Sequence, residues 1–357
     1  MIAAQIPQEK VPVGHVHGFR DGTEATKVVF NYMFNDEGMG GYINYAGVTT
    51  WLARNMPFLH GRVWVENFLV PLMRDIHAPY KNWKVQPSNE FHRLVEHGTP
   101  AIGSMLSIGG RPAKREYLNA LGTHPFDVGF GHYASTCPAP RDAYLPVLDY
   151  PRSMILNTKT RRDLQAPYVV FTAGGTTPIR TMKGKHLRPL VEHVNKLGFK
   201  AVFLGKKDIL ADGKATTAWL DDMDYSSGLD LRDQTSVREA ACIMQHAKCT
   251  VGVDGGLLHL AALMHESRIV FGYNITTVEH REPRRIQGRH VNVALTREEL
   301  SCSGCQSNWK GMWGHTYDKC YYQAEDLAAF GEPKCMHLLF ANDSIKFKNA
   351  IDEVLRD

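Results

Sequence analysis

This chain of 357 residues has no apolar run near the roughly 20 residues that a membrane-spanning helix requires. Its first residues, Met1 to Lys10, lack the charged-then-apolar pattern of a secretory leader, so the expected location is the cytoplasm. It also lacks a dominant charge: 41 Lys and Arg stand against 37 Asp and Glu, a net of +4 with His neutral. So small an excess argues against a general nucleic-acid binder, and any basic surface has to be local. The seven cysteines are odd in number and spread over a long chain, which argues against a disulfide framework. A Walker-type G-x-x-x-x-G-K-S/T run is missing. No Asp-x-Asp metal pair accompanies either of the chain's two glycine turns in its second half.

What is present reads as two α/β domains. Hydrophobic residues make up 43% and charged residues 22%, an ordinary globular balance, and the length is too great for one core. Lys27 to Phe34 is apolar and β-prone, the pattern of a buried strand. Asn35 to Gly41 is a glycine-rich turn, Tyr42 to Arg54 carries apolar residues at helical spacing, Arg62 to Val65 is a strand and Phe68 to Ile76 a helix. A second alternation starts at Tyr168 to Thr172. It runs through a helix at Lys185 to Leu197, a strand at Ala201 to Leu204, a helix at Ser236 to His246 and a strand at Cys249 to Val253. A short helix near Leu257 to Met264 and a strand at Arg268 to Phe271 follow. The predicted organisation is an arm (1–26), a first Rossmann-like domain (27–150), a linker (151–166), a second such domain (167–300), a Cys-rich segment (301–340) and a last helix (341–357).

Two corners carry the chemistry. At Asp254-Gly255-Gly256-Leu257, a buried strand ends in glycines that let the backbone approach a ligand closely. The helix that starts there aims its free N–H groups into the turn, an arrangement suited to a diphosphate, with Asp254 as a candidate cap and His259, one turn in, as a candidate to face the cleft. The alternative is an ordinary strand-to-helix turn with a capping Asp. At Thr172 to Leu187 a second strand ends in Gly174 and Gly175, the hydroxyls of Thr176 and Thr177, and the cations Arg180, Lys183, Lys185 and Arg188. Hydroxyls and cations together can hold phosphate oxygens, although a solvated basic helix start would look the same.

The run from Val251 to Leu263 resembles the signature of glycosyltransferase family 9, the heptosyltransferase-like enzymes: Asn or Asp, Ser or Thr, Gly, two free positions, His, Leu, Ala, Ala. Leu231 to Ala241, Phe271-Gly272 with Thr276, Lys185-His186-Leu187 and Met39 to Ile43 are similar to other elements of that family. The resemblance implies a GT-B fold, two Rossmann-like doubly wound domains facing a central cleft. It implies inverting transfer of a sugar from a nucleotide-diphosphate sugar, ADP-heptose or similar, to a hydroxyl acceptor, with no cofactor for the chemistry. Asp254, Gly255, Gly256, Leu257 and His259 would hold the diphosphate, and Thr176, Thr177 and Lys185 would reach it from the other turn. The last helix would pack back on the first domain.

The family's general base, an Asp, falls on Gly41 here. Asp36 and Glu37 in the same turn are the candidate replacements, since the acceptor's proton needs a base. A non-catalytic nucleotide-sugar-binding protein and a GT-B-like epimerase are the alternatives. The acceptor would be a glycan, lipopolysaccharide or protein; a modified nucleic acid is permitted by the basic runs at 180–188 and 281–289 but not favoured. Cys302, Cys305, Cys320 and Cys335 have a C-x-x-C start and two later thiols, a donor set for structural Zn or Fe, with four reduced thiols as the bland alternative.

Overall fold

The computed structural model describes residues 17–18, 28–33, 39–55, 59–87, 102–103, 145–172, 180–207, 209–211, 214–216, 225–278, 282, 288–305 and 323–356. The chain divides into two compact units, one ending at Pro146 and the other running from Val147 to Asp357, with Asn119–Gly122 joining the second.

In the first unit, β1 (Val28–Met33) is followed by α1 (Met39–Asn55), β2 (Leu59–Val65), α2 (Val70–His77) and β3 (Trp83–Pro87). The strands pair in parallel in the order β3-β2-β1. Two short pieces, His17–Gly18 and Ile102–Gly103, add to β1. The predicted strands and helices of this half appear at their places, but Met39, Gly40 and Gly41, expected to end a glycine turn, are the first residues of α1, and 35–38 lie outside the described residues. Tyr42, Ile43 and Ala46 of α1 and Leu72, Met73 and Ile76 of α2 are buried with Val63 and Val65 of β2, as helical and strand spacing require.

The second unit holds a six-stranded sheet, parallel throughout. Its strands are β4 (Tyr168–Thr172), β5 (Lys200–Leu204), β6 (Leu229–Asp230), β7 (Cys249–Val253), β8 (Ile269–Tyr273) and β9 (His290–Ala294). Their spatial order is β6-β5-β4-β7-β8-β9. In chain order this is 3-2-1-4-5-6, the doubly wound arrangement whose order reverses between the first and fourth strands. The reversal falls between β4 and β7, and a ligand site is expected beyond the carboxyl ends of those two strands. The helices between strands include α4 (Gly184–Lys196), α5 (Val237–Gln245) and α6 (Gly256–Ala261). Ser236 caps α5: its hydroxyl accepts from the Glu239 N–H while the Glu239 carboxylate accepts from the Ser236 N–H, which is why this helix starts where it does.

The segment expected as a linker, 151–166, contains the helix α3 (Thr158–Asp163) and is held within the second unit. Leu156 N–H donates to the Glu239 carboxylate, and the Arg152 guanidinium donates to the Leu164 carbonyl.

At the chain's end come α7 (Gln323–Phe330), α8 (Lys334–Leu339) and α9 (Ala341–Leu355). Three left-handed residues, Asn342, Asp343 and Ser344, open α9, so its right-handed turns begin at Ile345, inside the predicted 341–357. The buried face of α9, Phe347, Ala350, Ile351 and Val354, lies in the same core as Val251, Val270 and Leu190. The sequence reading expected this helix to pack on the first domain; the partners that bury it belong to the second unit. Among the described residues, no helix is long and apolar enough to cross a membrane.

Candidate functional site

Asp254 is the first residue beyond β7 and is fully buried. Its N–H donates to the Gly272 carbonyl at 2.8 Å, which fixes the corner to the end of β8. Its carboxylate accepts from the Thr276 hydroxyl at 2.8 Å and lies 3.2 Å from His259 Nε2. His259 is 1% exposed and meets the Phe271 ring edge-on, centroids 5.4 Å apart.

This corrects two parts of the sequence reading. Asp254 does not cap α6, because its carboxylate is turned beneath the corner toward Thr276 and His259; the residue at the N-cap is Gly255, without a side-chain cap. His259 does not face outward, because that same pairing draws it into the core. The corner therefore has a rigid underside of Asp254, His259 and Thr276. Its accessible face is the backbone of the half-buried Gly255, Gly256 and Leu257. Leu258 and His259 N–H groups bond back to the Gly255 carbonyl, so the N–H groups of Gly256 and Leu257 precede the intrahelical ladder.

The neighbouring corner follows β4. Thr176 and Thr177 lie outside the described residues, as do Asp36 and Glu37 near β1 and Cys320 in the Cys-rich segment. Lys185 stands in the first turn of α4, half-exposed, with Nζ 2.7 Å from a Glu332 carboxylate oxygen. Glu332 is 1% exposed and lies 2.9 Å from His186 Nε2. Burial alone would raise its carboxyl, but the hydrogen bonds and charges of His186 and Lys185 together hold it below the ordinary carboxylate range.

The carboxyl ends of β4 and β7 are adjacent because the two strands are paired, with Thr172 opposite Gly252. A Cβ on Gly252 would sit 2.0 Å from Thr172 Oγ1 and 3.2 Å from its carbonyl oxygen. Gly252→Ala is therefore expected to destabilise the second unit by about 1–3 kcal/mol through overpacking. Because the nearest obstacle is a side-chain oxygen, adding Thr172→Ala should recover most of that loss. Denaturant melts of the single and double variants check this.

Of the four cysteines, Cys302 and Cys305 are half-buried and Cys335 is buried, and all three meet the same hydrophobic cluster. The Gly304 N–H between them donates to the Asn274 carbonyl, and the Asn274 amide reaches Cys335 Sγ at 3.8 Å and Met336 Sδ at 3.2 Å. Among the described residues, no three His, Cys, Asp or Glu side chains form a group able to hold a metal.

A parallel sheet of order 3-2-1-4-5-6 with the Gly255-Gly256 corner at its reversal point is the doubly wound α/β arrangement, whose ligand sites lie beyond the strands' carboxyl ends. Residues 141–310, just under half of the chain, match the model of glycosyltransferase family 9 (heptosyltransferase), which marks this segment as glycosyltransferase-like. The iron-containing dodecameric glycosyltransferase TibC from enterotoxigenic E. coli H10407 has a similar structure: TM-score 0.60, 13% identity, covering 94% of this chain and 81% of that one. TibC in complex with ADP-D-beta-D-heptose superposes with TM-score 0.61 at 12% identity, over 94% of this chain and 80% of that one. A family 9 glycosyl transferase from Veillonella parvula DSM 2008 gives 0.55 at 11% identity, over 90% and 99%. At such identities these neighbours establish the GT-B fold. No curated protein matches the chain in sequence.

Proposed function

We propose that the chain transfers a heptose or related sugar, with inversion, from an ADP-activated donor to a hydroxyl on a glycan, lipopolysaccharide or protein. The observation that carries this reading is the pairing of β4 with β7 at the sheet's reversal point, which sets the Asp254 corner beside the carboxyl end of β4. The donor diphosphate would lie against the N–H groups of Gly256 and Leu257, with Asp254 and His259 fixing that backbone from beneath. Thr176, Thr177 and Lys185 would take its other oxygens. Fixed dipoles and a lysine then stabilise the leaving diphosphate. TibC's complex with ADP-D-beta-D-heptose, on the same fold, supports the choice of donor.

Gly41 lies in the first turn of α1, and that turn carries no acid. We assign proton removal to Asp36 or Glu37, the carboxylates just before that helix. Incubation with a panel of nucleotide sugars and mixed acceptors tests the whole reading. Transfer from an ADP-sugar, lost in Asp36→Asn or Glu37→Gln with donor binding intact, is the expected result. Binding without turnover, unaffected by either variant, would identify a non-catalytic binding protein instead.

We further propose that Cys302, Cys305, Cys320 and Cys335 hold one structural zinc or iron. Thiolates are suitable soft donors, and three of the four border one cluster. TibC is described as iron-containing. Protein purified without an affinity tag should carry about one metal per chain, and Cys302→Ser should lose it with a drop in melting temperature. Metal-free protein with an unchanged melting temperature would remove this assignment.

A further inference from the structure

The turn at Phe330-Gly331-Glu332, between α7 and α8, closes over the first turn of α4. Gly331 has φ +68°, a left-handed conformation that suits glycine. The turn presents two carbonyls and one carboxylate to two lysines. The Gly331 carbonyl accepts from Lys183 Nζ at 2.6 Å, the Phe330 carbonyl from Lys185 Nζ at 3.5 Å, and the Glu332 carboxylate pairs with Lys185 at 2.7 Å. His186 bridges the same groups. The Lys183 N–H donates to its Nδ1 at 3.3 Å, which makes Nε2 the donor toward Glu332 in the neutral ring. Phe340 stacks on the His186 ring, centroids 4.5 Å apart, and the Ser344 hydroxyl donates to the His186 carbonyl.

We propose that Glu332 is a positioning residue for donor binding: it holds the Lys185 ammonium at the place where the donor's diphosphate arrives. This rests on the reading of Lys185 as a phosphate ligand. A lysine on four methylenes has about 2 kcal/mol of rotamer freedom to lose when it engages an anion. A buried carboxylate that is itself locked by His186 removes much of that freedom before the donor binds. Glu332 is buried at a cost that the charges and hydrogen bonds of His186 and Lys185 offset. Its partners here are the phosphate-side lysine and the histidine next to it. His337 Nδ1, 3.6 Å away, completes the ring of cationic or donor groups around it.

The test is a double-mutant cycle read by calorimetry with ADP and, separately, with inorganic pyrophosphate. Glu332→Asp keeps the charge and shortens the reach, so it separates position from electrostatics. It is expected to weaken ADP and pyrophosphate binding by about fivefold, and to do nothing measurable in a Lys185→Ala background. Equal weakening in both backgrounds would show a merely structural role, and no weakening in either would show none; both overturn the proposal. A wild-type protein that binds neither ADP nor pyrophosphate would overturn the donor-corner reading itself, a distinct result.

Should Glu332→Asp fail to fold, the wild-type protein supplies a second measurement. Lys185, held by a buried carboxylate, should react with an amine-acylating reagent more slowly than the exposed Lys159, as read by mass spectrometry. Equal rates would overturn the proposal.

Discussion

Alanine in place of Asp254 is expected to lower turnover of the sugar nucleotide by about 100-fold or more, the scale of loss when a reacting group is displaced by about an ångström. The reasoning follows from where the carboxylate points. It accepts from the Thr276 hydroxyl and lies against His259 Nε2. Removing it strips a buried acceptor from two groups, each worth about 1–3 kcal/mol. Gly255 and Gly256 impose no side-chain restraint of their own, so the backbone above would lose its support. Asp254→Ala should therefore lose both donor binding and melting temperature. Asp254→Asn keeps the volume and one acceptor oxygen, and should melt close to the wild type while still binding ADP more weakly. ADP titrations and melts of the two variants separate the effects. If Asp254→Ala bound ADP and turned over as the wild type does, the corner would not be the diphosphate site.

The contrast between legible and illegible features at this site has a physical basis. The strands β4, β5, β7 and β8 are continuous apolar runs buried on both faces, and such runs are readable by composition alone. The outer strands were missed: β6 has two residues, and β9 is half-exposed with only Val293 buried in its run. Without them the order 3-2-1-4-5-6, and so the reversal point, could not be read. Asp254 stood out by its neighbours, Gly255 and Gly256, but the direction of its carboxylate depends on Thr276, 22 residues later. Glu332 carried no local signal, because its partner His186 lies 146 positions away. A turn residue next to a proline reads as a loop acid until the fold places a lysine on it. The C-terminal helix was expected from the family resemblance; its own apolar spacing specifies a buried face and not which core receives it.

The second large effect concerns pH and the first unit. His77, at the end of α2, is buried, and desolvation holds its pKa down at about 4 against the Met73 carbonyl bond, which acts the other way. Its Nδ1 lies 2.8 Å from that carbonyl, so Nδ1 carries the proton and the neutral ring's Nε2 accepts from the Thr49 hydroxyl at 2.8 Å. The ring also stacks on Trp83 of β3 at 6.2 Å between centroids, so it joins α1, α2 and the sheet. In the unfolded chain the same imidazole takes up a proton near 6.5, the ordinary histidine value. Between pH 6.5 and 4 the unfolded state therefore binds the extra proton, and acid favours unfolding. The stability that the neutral ring contributes is whole above pH 6.5 and falls by on the order of 3 kcal/mol by pH 4, below which both states are protonated. His77→Leu should be less stable than the wild type at pH 7.5, since Thr49 and the Met73 carbonyl lose a partner. It should also lack this part of the acid slope, so that the difference narrows or reverses by pH 4.5. Denaturant midpoints of the two proteins across that range provide the check, and parallel slopes would show that His77 titrates alike in both states. If the slopes diverge as expected, the first unit would lose stability in mild acid through a single buried ring.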